Sequence, residues 1–293
     1  MEFTENITSD FERNIFNIPY LHGVLHLGSK TYVMGILNVT PDSFYDGERY
    51  AAIESALDRA QKMVDEGADI IDIGGESTRP GAHPVSEAEE IKRVIPVIKE
   101  LSKHIKLPIS IDTYKSKVAE KAIDAGASIV NDIGGLGIDK NMAKVVARAH
   151  VPVVIMHKKG IPKTMQKQPM YKNDILPEIM SYLKKSISIA INAGIDEKKI
   201  IVDPGIGFGK TMQHNLQILK RLREFKNMGF PILIGTSRKE FIGKILGLPV
   251  QERLYGTLAT LAVSVMNGAH IVRVHDVREA VHIVKVCDEI IKS

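Results

Sequence analysis

Residues 108–132 begin Pro108-Ile109-Ser110-Ile111-Asp112-Thr113-Tyr114, continue through Lys115 to Ala125, and end Gly126-Ala127-Ser128-Ile129-Val130-Asn131-Asp132. A short Ile-rich run ends in an acid. A stretch of helical periodicity follows, a glycine stops it, and a second apolar run ends in Asn-Asp. Gly126 suits the place just past a helix, where the chain turns left-handed. The pattern is strand, helix, strand. Strands this apolar on both faces belong in a parallel sheet covered by helices.

The same unit recurs along the chain. Strand-like runs are predicted at Tyr32–Leu37, Asp69–Ile73, Pro108–Ile111, Ser128–Val130, Pro152–Met156, Ile200–Val202, Pro231–Ile234 and His270–Val274. Helical segments include Ala51–Glu66, Ser86–Ser102, Lys115–Ala125 and Ile175–Ala193, and Gly67, Gly194, Gly229 and Gly268 also stand just before strands. Eight β-then-α units in one chain of 293 residues predict an α/β fold, a (β/α)8 TIM barrel. A doubly wound open sheet is the alternative, but it requires no count of eight. No linker divides the chain, so residues 31–293 read as one catalytic domain. Residues 1–30 read as an N-terminal extension. Its run Ile15 to Leu27, with Pro19 and Gly23, predicts a short hairpin that closes the barrel bottom.

Composition narrows the class. Hydrophobic residues make up 44% and charged residues 25%, as in ordinary soluble proteins. The net charge of +4 is spread along the chain without a basic stripe, which argues against nucleic acid as a partner. It suits an anionic small substrate or carries no meaning. Cys287 is the single cysteine, which fits a reducing compartment. Neither a signal peptide nor an apolar run long enough for a bilayer is present, so the expectation is a cytoplasmic protein without a membrane partner.

The polar residues at the strand ends carry more. The first strand ends in Asn38 and the second leads into Gly74-Gly75-Glu76-Ser77-Thr78-Arg79-Pro80-Gly81. The next ends are Asp112, Asn131-Asp132, Met156-His157 and Asp203. The seventh strand leads into Ser237-Arg238-Lys239, and the eighth carries Arg273 and His275. A single Asp in such a place is often a helix cap, and Asp42 and Asp276 are open to that reading. All these ends converge on one face of a barrel, where active sites lie. Together they offer acceptors for a hydrogen-bonding heterocycle and cations for an anion. The run Asp203-Pro204-Gly205-Ile206-Gly207-Phe208-Gly209-Lys210-Thr211 nearly matches a nucleotide loop, but Pro204 holds the first glycine position. It reads better as a tight loop that lets backbone approach a flat ligand.

Four segments resemble the signatures of dihydropteroate synthases. They are Asn38-Val39-Thr40-Pro41-Asp42-Ser43-Phe44, the Gly75 to Gly81 loop, Asp203 to Lys210, and Ser237-Arg238-Lys239. The resemblance runs from about Tyr32 to the C-terminus. It implies a (β/α)8 barrel that condenses 6-hydroxymethyl-7,8-dihydropterin diphosphate with p-aminobenzoate, giving 7,8-dihydropteroate and pyrophosphate. It also implies a homodimer, a folate-biosynthetic role and a sulfonamide target.

Carried onto this sequence, the resemblance implies that Asp112, Asn131 and Asp203 bond the pterin. Met156, Phe208 and Gly235 line its site. Lys239 reaches the pterin and shapes the p-aminobenzoate site. Asn38, Arg273 and His275 hold the diphosphate, and Asn38 is also a ligand of Mg2+. Phe44, Thr78, Arg79 and Pro80 belong to mobile loops over the second substrate. The catalytic set is then Asn38, Asp112, Lys239, Arg273 and His275. Two features depart from the family pattern, Glu240 after Lys239 and the Lys158-Lys159 pair. Two other functions compete, a corrinoid-linked methyltetrahydrofolate methyltransferase and a noncatalytic pterin-binding protein. The first has no need of a diphosphate site, and a degenerate binder would lose Asn38, Thr78 or Arg79.

Overall fold

The computed structural model describes residues 13–39, 49–77, 83–160, 171 and 174–293. After a hairpin of β1 (Phe16–Tyr20) and β2 (Gly23–Leu27), strands and helices alternate. The series is β3 (Tyr32–Asn38), α1 (Arg49–Asp65), β4 (Ile70–Gly74), α2 (Glu87–His104), β5 (Ile109–Asp112) and α3 (Ser116–Asp124). It continues with β6 (Ile129–Asp132), α4 (Met142–Ala149), β7 (Val153–Met156), α5 (Ile175–Asn192), β8 (Ile200–Asp203) and α6 (Met212–Lys220). The last elements are β9 (Leu233–Ile234), α7 (Glu240–Leu246), α8 (Leu254–Met266), β10 (Ile271–Val274) and α9 (Val277–Lys292).

Strands β3 to β10 form one parallel sheet in the order β8-β7-β6-β5-β4-β3-β10-β9. Val202 of β8 bridges Ile232 beside β9, and its N–H donates to the Pro231 carbonyl at 2.9 Å. The ring is thereby nearly closed, as a (β/α)8 barrel requires. The seventh strand is shorter than predicted. Pro231 has no N–H to give to a ladder, and only Leu233 and Ile234 remain in regular pairing.

Alternation along each strand sorts the side chains between two environments. The outward set, among them Ile71, Ile73, Ile109, Ile111, Val153, Val272 and Val274, packs with the helices in the main core. The inward set starts apolar. Met34, Ile70, Ile129, Val154, Ile201, Leu233 and Ile271 form a second cluster at the N-terminal end of the strands. Ile18, Leu25 and Leu27 of the hairpin are buried in that same cluster. Two residues further along most inward positions turn polar or open: Asp72, Asn131, Asp203 and Arg273 follow Ile70, Ile129, Ile201 and Ile271, and Gly235 follows Leu233, while Ile36 and Met156 stay apolar.

Several strands also extend one residue further than the apolar runs predicted. Asn38, Gly74, Asp112, Asn131, Asp132 and Asp203 lie inside the strands, not just beyond them. Their backbone groups still face neighbouring strands, so polar side chains do not end the pairing.

Candidate active site

Strand register builds the site. Asn38 pairs with Gly74, Gly74 with Asp112, and Asp112 with Asn131, so three polar side chains and one gap stand in a single row. On the other side of the ring Met156 pairs with Asp203. Asn38, Asp112, Asn131, Met156, Asp203, Phe208, Gly235, Lys239, Arg273 and His275 all line one pocket at this end of the barrel. The sequence-predicted residues that fall among the described ones are therefore brought together. Phe44, Thr78, Arg79 and Pro80 lie outside the described residues.

A charged lattice crosses the pocket floor. Arg273 donates from Nε to Asp72 Oδ2 and from Nη2 to Asp112 Oδ2, both at 2.6 Å. Asn131 Nδ2 donates to the same Asp72 oxygen at 3.1 Å. Asp72 was not singled out by the sequence reading, although an acid inside the run Ile70-Ile71-Asp72-Ile73 is a legible signal. It is fully buried, and the lattice gives that buried charge its cation. Burial works against the Arg273 charge, but Asp72 and Asp112 more than offset it, and the guanidinium stays firmly protonated. Burial pushes the Asp112 carboxyl up to about 7 despite Arg273. The second Asp112 oxygen is buried without a hydrogen-bond partner among the described residues.

Across the floor, Asp203 Oδ1 accepts from the Gly205 N–H at 2.6 Å. Burial raises this carboxyl to about 6, while that bond, Lys239, Lys210 and Arg273 pull it down. Lys239 is lowered to about 8 by burial and by Arg273. Its ammonium sits 4.2 Å from the centre of the Phe208 ring, a cation–π contact. Phe208 in turn packs with Met156 and Ile133.

The loop after β8 needs its glycines. Gly205 and Gly209 have φ of +71° and +64°, and a Cβ on them would lie 1.9 Å from the His157 carbonyl oxygen and 2.1 Å from that of Lys159. The loop thus lies directly on the chain leaving β7. Beneath it, the buried Lys210 ammonium contacts His157 Nδ1 at 2.8 Å and donates to the Phe208 carbonyl at 3.1 Å. The sequence reading assigned neither residue a role.

The segment after β9 splits its side chains. Arg238 takes φ of +54° and donates to both oxygens of Asp276 at 2.9 and 2.6 Å. Asp276 makes no side-chain cap bond at the start of α9, so it is an ion-pair partner, not a side-chain cap. The flanking Ser237 and Lys239 face the pocket. Ser237 Oγ accepts from the His275 backbone N–H at 3.2 Å and lies 2.9 Å from Nδ1. A hydroxyl that donates to Nδ1 puts the proton of a neutral imidazole on Nε2. Glu240 pairs with Lys244 one helical turn on, at 2.7 Å, with both side chains exposed. Of the lysine pair, Lys158 lies over Tyr114 and Lys159 over Tyr171.

Glu76 braces the second loop. It accepts from Tyr114 at 3.0 Å and pairs with Lys115 at 2.5 Å, and Lys115 also holds Glu90. For a metal, Asn38 offers one carbonyl oxygen at the mouth. Among the described residues no three His, Cys, Asp or Glu converge as a ligand cluster. Such a sparse set fits Mg2+ arriving with phosphate oxygens and its own waters, the usual state of that ion.

The sequence profile of a family described as "Pterin binding enzyme" matches residues 34–275. The chain is 52% identical to the dihydropteroate synthase of Bacillus subtilis (strain 168) over 264 residues, 90% of each protein. Among solved structures it superposes on the Yersinia pestis dihydropteroate synthase in a sulfonamide drug complex with a TM-score of 0.89 and 41% identity, covering 95% of this chain and all of that one. The Xanthomonas albilineans enzyme solved with 4-aminobenzoic acid gives a TM-score of 0.84 at 40% identity, covering 91% of this chain and 95% of that one. With a pocket of polar and charged residues at the strand ends of a (β/α)8 barrel and identities of this size across nearly the whole chain, the protein belongs to the dihydropteroate synthase family.

Proposed function

We propose that this pocket joins a pterin diphosphate to p-aminobenzoate with a division of labour set by its charges. The observation that carries the reading is the pairing, in one pocket, of acceptors for a pterin edge with cations for a leaving anion. Asp203 accepts from the amino group and ring N–H of the pterin, and Asn131 supplies a donor and an acceptor. Asp112 stands near the carbon under attack, where its charge favours a cation-like methylene. Lys239 spans the pterin and the second substrate, with Met156 and Phe208 against the ring face.

Arg273, His275 and Asn38 receive the diphosphate. An arylamine is a weak nucleophile, so most help belongs at the leaving group. Arg273 Nε and Nη2 are engaged by carboxylates, which sets the guanidinium plane. His275 offers its Nε2 proton. Asn38 would be a ligand of Mg2+, which supplies charge neutralisation at the departing oxygens when bound. Phe44, Thr78, Arg79 and Pro80 would close over p-aminobenzoate.

Residues 31–293 then form one catalytic domain, and residues 1–30 an N-terminal extension whose hairpin, β1 and β2, plugs its lower end. A homodimer is favoured by the exposed apolar faces of α8 and α9. Tyr255 and Val263 stand on one face of α8, and Val286 and Ile290 on α9, all exposed. Leu261 and Val265, apolar residues of the same α8, are buried in the core and have no part in such a face, and Leu258 is partly buried against that core. Among the described residues no helix is long and apolar enough to cross a membrane, in keeping with a cytoplasmic enzyme.

The test is a coupled assay on the purified chain. Pyrophosphate and dihydropteroate should appear together, only when both substrates and magnesium are present. Pterin binding without turnover would leave a noncatalytic binder. Methyl transfer from methyltetrahydrofolate would leave the corrinoid-linked alternative.

A further inference from the structure

The pocket lining includes a buried charged group that the reaction does not use. Lys210 is 2% exposed, among the largest fully buried side chains of the chain, yet it ends in an ammonium. Among the described residues it makes no ion pair at contact distance. The neighbours it touches are the neutral His157 ring and the Phe208 carbonyl. Burial, with Lys210 beside it, drives the His157 ring far below its usual range, to about 2, so the ring accepts and never competes as a cation. A buried charge without an ion pair is costly and is retained only where something opposes it.

The opposing charge is Asp203. Burial acts most strongly on Lys210 and lowers it to about 7; Asp203 of β8 favours its charged form, while Lys239 at the start of α7 and Lys159 past β7 oppose it. His214 on α6 also feels the Lys210 charge. Asp203 itself is faced by the Gly205 N–H, Lys239, Lys210 and, from β10, Arg273. Lys239 and Arg273 are assigned to ligands, and their charge is partly spent when ligand arrives. Lys210 is not. It lies under the glycine loop, tied to the carbonyl of the residue whose ring packs on Met156.

We propose that Lys210 is a positioning residue for the pterin site: held beneath the glycine loop by His157 and the Phe208 carbonyl, it supplies a counter-charge not shared with the ligand that helps keep Asp203 a carboxylate when the ligand seals the pocket. The proposal rests on the reading that Asp203 accepts from the pterin.

The experiment is calorimetric titration with 6-hydroxymethylpterin, which lacks the diphosphate, at a series of pH values between about 5 and about 7.5. In the parent chain affinity should rise with pH through about 6, where Asp203 ionises. In Lys210→Met this rise should move up by about half a unit to one unit, so that binding on the acid side weakens by about threefold to tenfold while binding near pH 7.5 changes little. Lys210→Arg, which keeps the charge, should keep the rise in place. Equal weakening of Lys210→Met at every pH would reduce Lys210 to loop packing and overturn the proposal. A second measurement leaves Lys210 intact. In protein carrying 13C-labelled lysine, the Lys210 Cε signal should titrate at lower pH in Asp203→Asn than in the parent, where it titrates at about 7. An unmoved titration overturns the proposal even if the Lys210 variants do not fold. Asp203→Asn binding the pterin as well as the parent would instead sink the underlying reading of Asp203.

Discussion

At the scale of the residue, Asp203→Asn replaces one acceptor oxygen by an NH2 that meets a pterin donor head-on. Loss of a hydrogen bond to a charged group costs roughly 1.5–3 kcal/mol, so pterin affinity should fall about tenfold or more, read by calorimetry. Stability should go the other way. The folded carboxyl titrates at about 6, above the ordinary 3.8. A raised carboxyl stabilises the fold only below its unfolded value, and the benefit is lost as pH rises through the folded one. The ligand-free variant should therefore melt no lower than the parent at neutral pH, and its stability should vary less with pH across that window. Arg273→Ala is expected to lose both function and stability. Asp72 and Asp112 would share the floor without their cation, and breaking a buried pair typically costs about 3–5 kcal/mol. Pyrophosphate release should collapse more than binding of a pterin without diphosphate, and the melting temperature should drop. Equal loss of pterin and diphosphate affinity would make Arg273 structural. Residue identities at the strand ends were legible in the sequence because they interrupt apolar runs. Asp72 escaped because it interrupts one from the middle, and Lys210 because a lysine after glycines reads as exposed.

At the scale of the element, the strands were legible and their inner order was not. Apolar runs give no hint of which residues face inward. The structure supplies it: period-two alternation makes one layer of aliphatics and, two residues on, one layer of charges. The loop after β8 is the most exacting element. Gly205→Ala puts a methyl against the His157 carbonyl and adds a left-handed backbone cost of roughly 1–2 kcal/mol. It should cost at least that much stability, measured by denaturant unfolding, and weaken pterin binding because Asp203 Oδ1 loses the Gly205 N–H. Wild-type stability with normal binding would show that the loop can move aside. The hairpin was read from Pro19 and Gly23; its turn lies between Tyr20 and Gly23, and Pro19 stands inside β1, paired with Val24.

At the scale of the molecule, the helices that close the ring leave one broad apolar face. Tyr255 is 82% exposed on α8 and Val286 61% on α9. Tyr255→Glu paired with Val286→Asp should shift sedimentation from a dimer to a monomer at micromolar concentration while pterin affinity is kept, since neither residue lines the pocket. A wild-type chain that sediments as a monomer would end the dimer reading. Oligomerisation was not legible residue by residue in the sequence. Leu258, Leu261 and Val265 look as suited to an interface as their neighbours, and only the packed helix decides which side faces out.

The hairpin closes one end of the barrel. Ile18, Leu25 and Leu27 are buried against the lower aliphatic layer, so among the described residues the ring is filled at that end and the pocket lies at the other. Whatever enters first lies deepest, and whatever enters last must leave first. Traffic through such a chamber is a stack: a pterin seated on Asp203 has its exit barred by the molecule that follows it. Under the proposed reaction, dihydropteroate would share that exit with every new pterin.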